Sequence, residues 1–224
     1  MMTSLRLLPA YLVLTIFALL PVAGCAAGGN RYHADVHETI PLARPLSLAI
    51  SQPAGRIRVV AWNEPRVQID AVKSAGSAED LARIEVAIEN RGGAISVETR
   101  YRGIGFGNGG VDYTIHAPAA TPLDVHTAAG QITLDGLRGD VHATTAAGQI
   151  TATMAAVGGA QHVDLEAVTG EVVLAMPTTS DATIDASATI GSVRNAFDTA
   201  RIGNGSANVH LRTTTGAIRI DKAP

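Results

Sequence analysis

Between Leu123 and Ile220 one phrase is written five times, and no other property limits the fold as tightly. It reads "LDVHTAAGQITL" at 123–134, "VHATTAAGQITA" at 141–152, "VDLEAVTGEVVL" at 163–174, "IDASATIGSVRN" at 184–195 and "VHLRTTTGAIRI" at 209–220. With Gly130, Gly148, Gly170, Gly191 and Gly216 in register, four apolar columns line up at seven and five residues before the glycine and at two and four after it. Asn195 is the one break in them. Each copy therefore reads as two short strands of period-two alternation, apolar on one face and polar on the other, meeting at a Thr/Ala-rich corner. The glycine belongs there because a tight corner needs positive φ or close approach to the next coil.

Successive glycines are 18, 22, 21 and 25 residues apart. At that period no copy can bury its apolar face alone, so copies must stack. The expected fold is all-β, a parallel β-solenoid with short coils and like residues stacked on like; its handedness stays open. Only three Phe, one Trp and four Tyr occur in 224 residues, as suits a narrow coil.

The same four columns recur more weakly upstream. Leu48, Ile50, Ile57 and Val59 surround Gly55, and Val86, Ile88, Ile95 and Val97 surround Gly93, which would make seven copies. The glycine intervals there are 38 and 37 residues, so each early copy carries extra strands, with 66–72 and 111–117 as candidates. A short helix is expected at 77–83 with Ser77 as its N-cap. Gly105, Gly107 and Gly110 spell a dinucleotide-binding fingerprint, but an alternating strand rather than a helix follows, so 102–110 reads as a mobile hairpin loop. Asn204-Gly205 predicts a tight type I′ turn.

At the amino end, Arg6 precedes an apolar run over 7–24 that has the layout of a secretory signal and is marginal for a spanning helix. Val22-Ala23-Gly24-Cys25 resembles a bacterial lipobox, and the resemblance implies cleavage before Cys25 and its lipidation. Cys25 is the chain's single cysteine, so an internal disulfide is excluded. Loss of residues 1–24 leaves 16 basic against 20 acidic residues, net −4, a balance that does not suggest nucleic acid as a partner. The expected organisation is a signal peptide over 1–24, a lipid-anchored tether over 25–39, an N-terminal β region with longer coils over 40–122, and regular repeats over 123–224.

The run "SQPAGRIRVVAWNEPRVQIDAVKSA", with "TAAGQITLDGLRGDVHATTAAGQI" and "EAVTGEVVLAMPTTSDATIDASATIGSV" after it, resembles the bacterial putative-adhesin family of β-solenoid envelope proteins. The resemblance covers roughly 40–220. It implies an envelope or surface location and an adhesive or scaffolding role, and it supplies no catalytic residues.

One polar column carries chemistry. Six residues before the glycines stand Asp124, His142, Asp164, Asp185 and His210, with His126 and Glu166 in the outward position two further on. Stacked about 5 Å apart, carboxylates and imidazoles could ligate a divalent metal. The simpler reading is a solvated ladder that also discourages strand-to-strand aggregation, and the sequence assigns no metal and no cofactor. The enzyme alternative is a solenoid lyase or glycosidase using outward carboxylates such as Asp164 and Asp185. It lacks the aromatic sugar platforms such sites use, since Trp62 is the lone tryptophan. The expected function is therefore non-catalytic: a lipid-anchored envelope protein, an adhesin or surface scaffold, whose expected partners are the membrane through its lipid and a surface glycan or an envelope protein, with self-association open. The outer membrane of a Gram-negative cell is the expected location.

Overall fold

Alternating residues place one side chain in the interior and the next in solvent, and most of the thirteen strands among the described residues follow that rule. The computed structural model describes residues 32–41, 47–103 and 109–223. In chain order the elements are β1 (Tyr32–Pro41), β2 (Ser47–Trp62), β3 (Arg66–Ala75), α1 (Ala78–Arg83), β4 (Ile84–Arg91), β5 (Ala94–Tyr101) and β6 (Gly109–Pro118). They continue as β7 (Leu123–Leu137), β8 (Val141–Met154), β9 (His162–Thr169), β10 (Val172–Pro177), β11 (Ala182–Asn195), β12 (Arg201–Ile202) and β13 (Ala207–Ala223). The signal segment, Cys25, Gly105 and Gly107 lie outside the described residues. Residues 32–39, assigned from sequence to the tether, form most of β1, which pairs antiparallel with β3.

The repeats stack as parallel coils. Ile57, Ile132, Ile150, Val172, Ile218 and Val193 follow one another as direct partners across β2, β7, β8, β10, β13 and β11. The members from Ile57 to Ile218 are at most 1% exposed. A second interior column runs Leu48, Leu123, Val141, Val163, Val209 and Ile184. Burying such columns is the main favourable term, worth roughly 1.5–3 kcal/mol for each Val, Leu or Ile side chain. Short connections close each coil and hydrogen-bond to one another: Arg138 N–H donates to the Ala119 carbonyl, Ala155 N–H to Leu137, and Asp181 N–H to Val157.

At the corner the six glycines form one ladder. Their φ is +127° at Gly55 and between +144° and +151° at Gly130, Gly148, Gly170, Gly191 and Gly216. A Cβ at any of them would overlap the backbone carbonyl oxygen of the coil beneath, which for Gly148 is that of Gly130. Both arguments for glycine, φ and close approach, therefore apply at the same atom.

Coil order departs from chain order at both ends. β13 is inserted between β9/β10 and β11, so the glycine ladder runs 55, 130, 148, 170, 216, 191. Gly93 is not part of it. It lies in the turn of an antiparallel β4–β5 hairpin, and Ile95 and Val97 pair with Leu48 and Ile50 rather than with Ile57 and Val59. The coil against β2 is completed by β6, whose Tyr113 and Ile115 partner Ile57 and Val59. The expected hairpin across 102–110 is likewise corrected: β5 and β6 do not pair with each other but lie along opposite halves of β2. The strands anticipated at 66–72 and 111–117 are present as β3 and β6, an antiparallel pair. Ser77 caps α1, its side chain accepting from Asp80 N–H at 3.0 Å.

The last coil is closed by 196–206. Asn195, the break in the apolar pattern, sits at this end, where its side chain donates to the Thr199 carbonyl and accepts from Phe197 N–H. Phe197 then packs on the core. In the 202–205 turn positive φ falls on Gly203 and Gly205, not on Asn204, so the type I′ geometry expected for Asn-Gly is not formed.

Candidate functional site

The outward residues of the first strand in each coil form a flat polar face. Its central column is the one singled out by sequence, but the insertion of β13 changes its order. Direct strand partners run Asp124, His142, Asp164, His210, Asp185, an unbroken alternation of carboxylate and imidazole. In chain order the two types do not alternate, because Asp164 and Asp185 are consecutive.

Within the column, His142 Nδ1 lies 3.3 Å from Asp164 Oδ2. His210 Nδ1 lies 3.4 Å from Asp185 Oδ2 without forming a hydrogen bond, and it is shielded from solvent, as is Asp164 Oδ1. The middle of the ladder is thus its least satisfied part, which matters because a buried unpaired polar atom is costly. The column two residues on reads His126, Thr144, Glu166, Arg212, Ser187 in stacking order. His126 Nε2 lies 2.8 Å from Asp124 Oδ1, and its Nδ1 lies 2.5 Å from Thr144 Oγ1. The rings of His126 and His142 meet edge to face, with centroids 5.5 Å apart. Asp124, His126 and His142 each offer a ligand atom, all within 4.8 Å of one another, and so could hold a metal ion. Asp164, Asp185 and His210 are strung along the column rather than gathered at that point.

An open groove of about 640 Å³ adjoins this face, lined among others by Thr144, Glu166, Val168, Ser187, Arg212 and Thr214. Round the corner, Gln131, Gln149 and Glu171 form a second ladder, with Gln149 donating to Glu171 Oε2 at 3.0 Å. For the carbohydrate-enzyme alternative the arrangement is unhelpful. Asp164 and Asp185 are two strand spacings apart, roughly 10 Å, with the imidazole of His210 between them.

Sequence reasoning missed Thr144 and Arg212, although the columns of His126 and Glu166 lead directly to them. It also missed a polar cluster at the N-terminal end, because the alternation in "YHADVHETI" was read as tether. There β1 pairs His37 with Asp70, and His37 Nδ1 lies 2.5 Å from Asp70 Oδ1 while Gln68 donates to Asp70 Oδ2 at 2.8 Å. Burial pushes the Asp70 carboxyl up, but the His37 and Gln68 hydrogen bonds and neighbouring imidazole charge outweigh it and hold the group below its ordinary value. Asp112 behaves alike: burial raises it, and Arg56, bound through side chain and backbone, lowers it further than burial lifts it.

Parallel coils, a glycine corner ladder and aligned outward polar columns define the molecule as a β-solenoid of the repeat-stacking class. The chain belongs to the Toastrack DUF4097 family, whose model matches residues 108–221. Among solved structures it is similar to a putative cell adhesion protein from Clostridium sporogenes ATCC 15579. That likeness has 14% identity and a TM-score of 0.64, and covers 85% of this chain and all of that one. A putative adhesin from Bacteroides fragilis NCTC 9343 aligns at 10% identity over 84% of this chain and 97% of its own, with a TM-score of 0.30. No curated protein matches the chain. Among the described residues no helix is long and apolar enough to cross a membrane.

Proposed function

We propose that the protein is a lipid-anchored scaffold of the cell envelope, held by Cys25, that presents its polar solenoid face to a surface glycan or another envelope protein. The observation that carries this reading is the face itself. Five coils bring Asp124, His142, Asp164, His210 and Asp185 into one line, flanked by the line of His126, Thr144, Glu166, Arg212 and Ser187. A flat repeated surface suits many weak contacts made together, and anchoring many copies on a membrane raises their effective concentration. The name of the Clostridium sporogenes relative, a putative cell adhesion protein, supports the adhesive half of the reading. The lipobox-like Val22-Ala23-Gly24-Cys25 supports the anchor, and Ala26 in place of an aspartate after the cysteine favours the outer membrane of a Gram-negative cell.

The test has two arms in living cells. Cys25→Ser should abolish lipid labelling and release the protein from membranes; retained labelling would sink the anchor. A variant carrying Asp→Asn and His→Gln at all five central positions should lose adhesion or envelope integrity, while each single change weakens it slightly. A single substitution that eliminates the phenotype at normal abundance would replace the spread surface with a discrete site.

A further inference from the structure

The geometry points to a zinc site where β7 meets β8, built by Asp124, His126 and His142. Their ligand atoms already lie within 4.8 Å of one another. Ligands about 2.0–2.2 Å from a tetrahedral ion stand roughly 3.3 Å apart, so small side-chain rotations close the site. All three side chains keep 41–54% of their surface exposed, so solvent-borne ions reach them.

The neighbours of the two imidazoles argue for a ligand more specifically than the cluster does. A metal-binding histidine ordinarily donates its second ring N–H to a carboxylate, carbonyl or other acceptor, which fixes the tautomer and aims the remaining nitrogen. His126 has that arrangement, and His142 has a carboxylate beside it. His126 Nδ1 is engaged by Thr144 Oγ1 at 2.5 Å, leaving Nε2 beside Asp124 Oδ1 at 2.8 Å. His142 Nδ1 lies 3.3 Å from Asp164 Oδ2 without a formed hydrogen bond, and a slight turn of the ring on metal binding would complete the same arrangement. An ion would take the place of the proton shared by His126 Nε2 and Asp124. Two imidazoles and one carboxylate suit Zn²⁺ and leave a fourth position to solvent, whereas Mg²⁺ and Ca²⁺ prefer oxygen donors.

The ladder also explains why one site forms rather than several. His210 is likewise flanked by Asp164 and Asp185, but the residue two further along its own strand is Arg212, where the strand of His142 has Thr144, and Arg212 stands directly beside Glu166, the counterpart of His126. A fixed guanidinium supplies no ligand and repels a cation. One ion per chain is expected, at the β7–β8 end.

Full-length protein in detergent, titrated with ZnCl₂ by calorimetry and with CoCl₂ by absorption spectroscopy, tests this. Wild type should show one saturable site unaffected by excess Mg²⁺, and cobalt bands of tetrahedral intensity. His126→Gln and His142→Gln should abolish it, and Asp164→Asn should weaken it by about 10- to 100-fold. His210→Gln should bind as wild type does. Circular dichroism checks the fold of each variant, and the wild-type titrations decide the matter even where a variant misfolds. No saturable binding by wild type, binding unchanged in His126→Gln or His142→Gln, or equal loss in His210→Gln would each overturn the site. Ion binding and adhesion are scored in separate assays, so the zinc site stands or falls independently of the adhesive reading.

Discussion

At the scale of single residues the corner glycines dominate, because each answers two demands with one missing methyl group. Where the backbone conformation suits any residue, Gly→Ala stabilises by about 0.4–1 kcal/mol through the unfolded chain. At Gly148 the sign should reverse. Its φ is +149°, and a Cβ would overlap the Gly130 carbonyl oxygen, which belongs to the backbone and cannot rotate away. Backbone strain of about 1–3 kcal/mol adds to the cost of prising two coils apart, so Gly148→Ala should cost at least about 3 kcal/mol. Gly159 is the control. Its φ is +65° with nothing within 4 Å of a built Cβ, so Gly159→Ala should cost only about 1–2 kcal/mol. Urea denaturation of the two variants makes the comparison, and equal small losses would show that the corner backbone yields easily. These glycines were legible in the sequence because the same φ and the same contact recur in each coil, so selection for glycine repeats with the period. The register of Ile132, Ile150 and Val172 followed directly from them.

At the scale of elements the N-terminal coil shows where the periodic reading ran out. Gly93 and Gly55 both stand two residues before an Ile and four before a Val, yet one ends a hairpin turn and the other turns a coil corner. Alternation specifies which side chains point inward but not which strand lies alongside, so the pattern at Gly93 could not separate the two. The coil that results is assembled from β5 and β6, and a hydrogen bond of 2.6 Å between Thr99 Oγ1 and Tyr113 Oη ties those halves together. Tyr113 is 1% exposed, and burial pushes its phenol from the ordinary 10.0 up to about 12, against the smaller opposing effect of the Thr99 hydrogen bond. The raised value fixes the sign of a pH dependence. Below pH 10 the phenol is neutral in both states, and its contribution to stability is whole. As pH rises from about 10 to 12 the unfolded chain loses its proton first, so stability falls, by about 3 kcal/mol across the two units. Tyr113→Phe should cost about 1 kcal/mol at pH 8 through the lost partner of Thr99, and should flatten this alkaline loss. Denaturation at pH 8 and pH 11 measures both. Parallel losses in wild type and variant would mean that the phenol titrates without linkage to folding.

At the scale of the whole molecule the decisive feature is the order in which coils stack. A solenoid wound strictly in sequence could be shortened from its end, one coil at a time, with the remainder intact. Here the last strand, β13, lies inside the stack, hydrogen-bonded to β9 and β10 on one side and to β11 on the other. No repeat pattern reveals this, since every copy offers the same columns to any neighbour. It is also what turns the chain order of Asp124, His142, Asp164, Asp185 and His210 into an alternating ladder, so the functional face was only half legible from sequence. One unused hint was Asn195: a polar residue in an apolar column marks a coil with nothing stacked beyond it, and β11, not β13, is that coil. Its Ile190 is 65% exposed and its Val193 42%, as befits the outermost full-length strand at this end of the stack. A chain ending at residue 206 should therefore lose more than its own missing strand. Without β13, β11 has no long partner and β12 contributes only two residues to hold it, so the segment 182–206 should become protease-sensitive while β7 and β8 stay protected. Limited proteolysis read by mass spectrometry distinguishes the alternatives. Continued protection of 182–206 in the shortened chain would mean that β11 can dock directly on β9 and β10, and that the inserted order is not required by the fold.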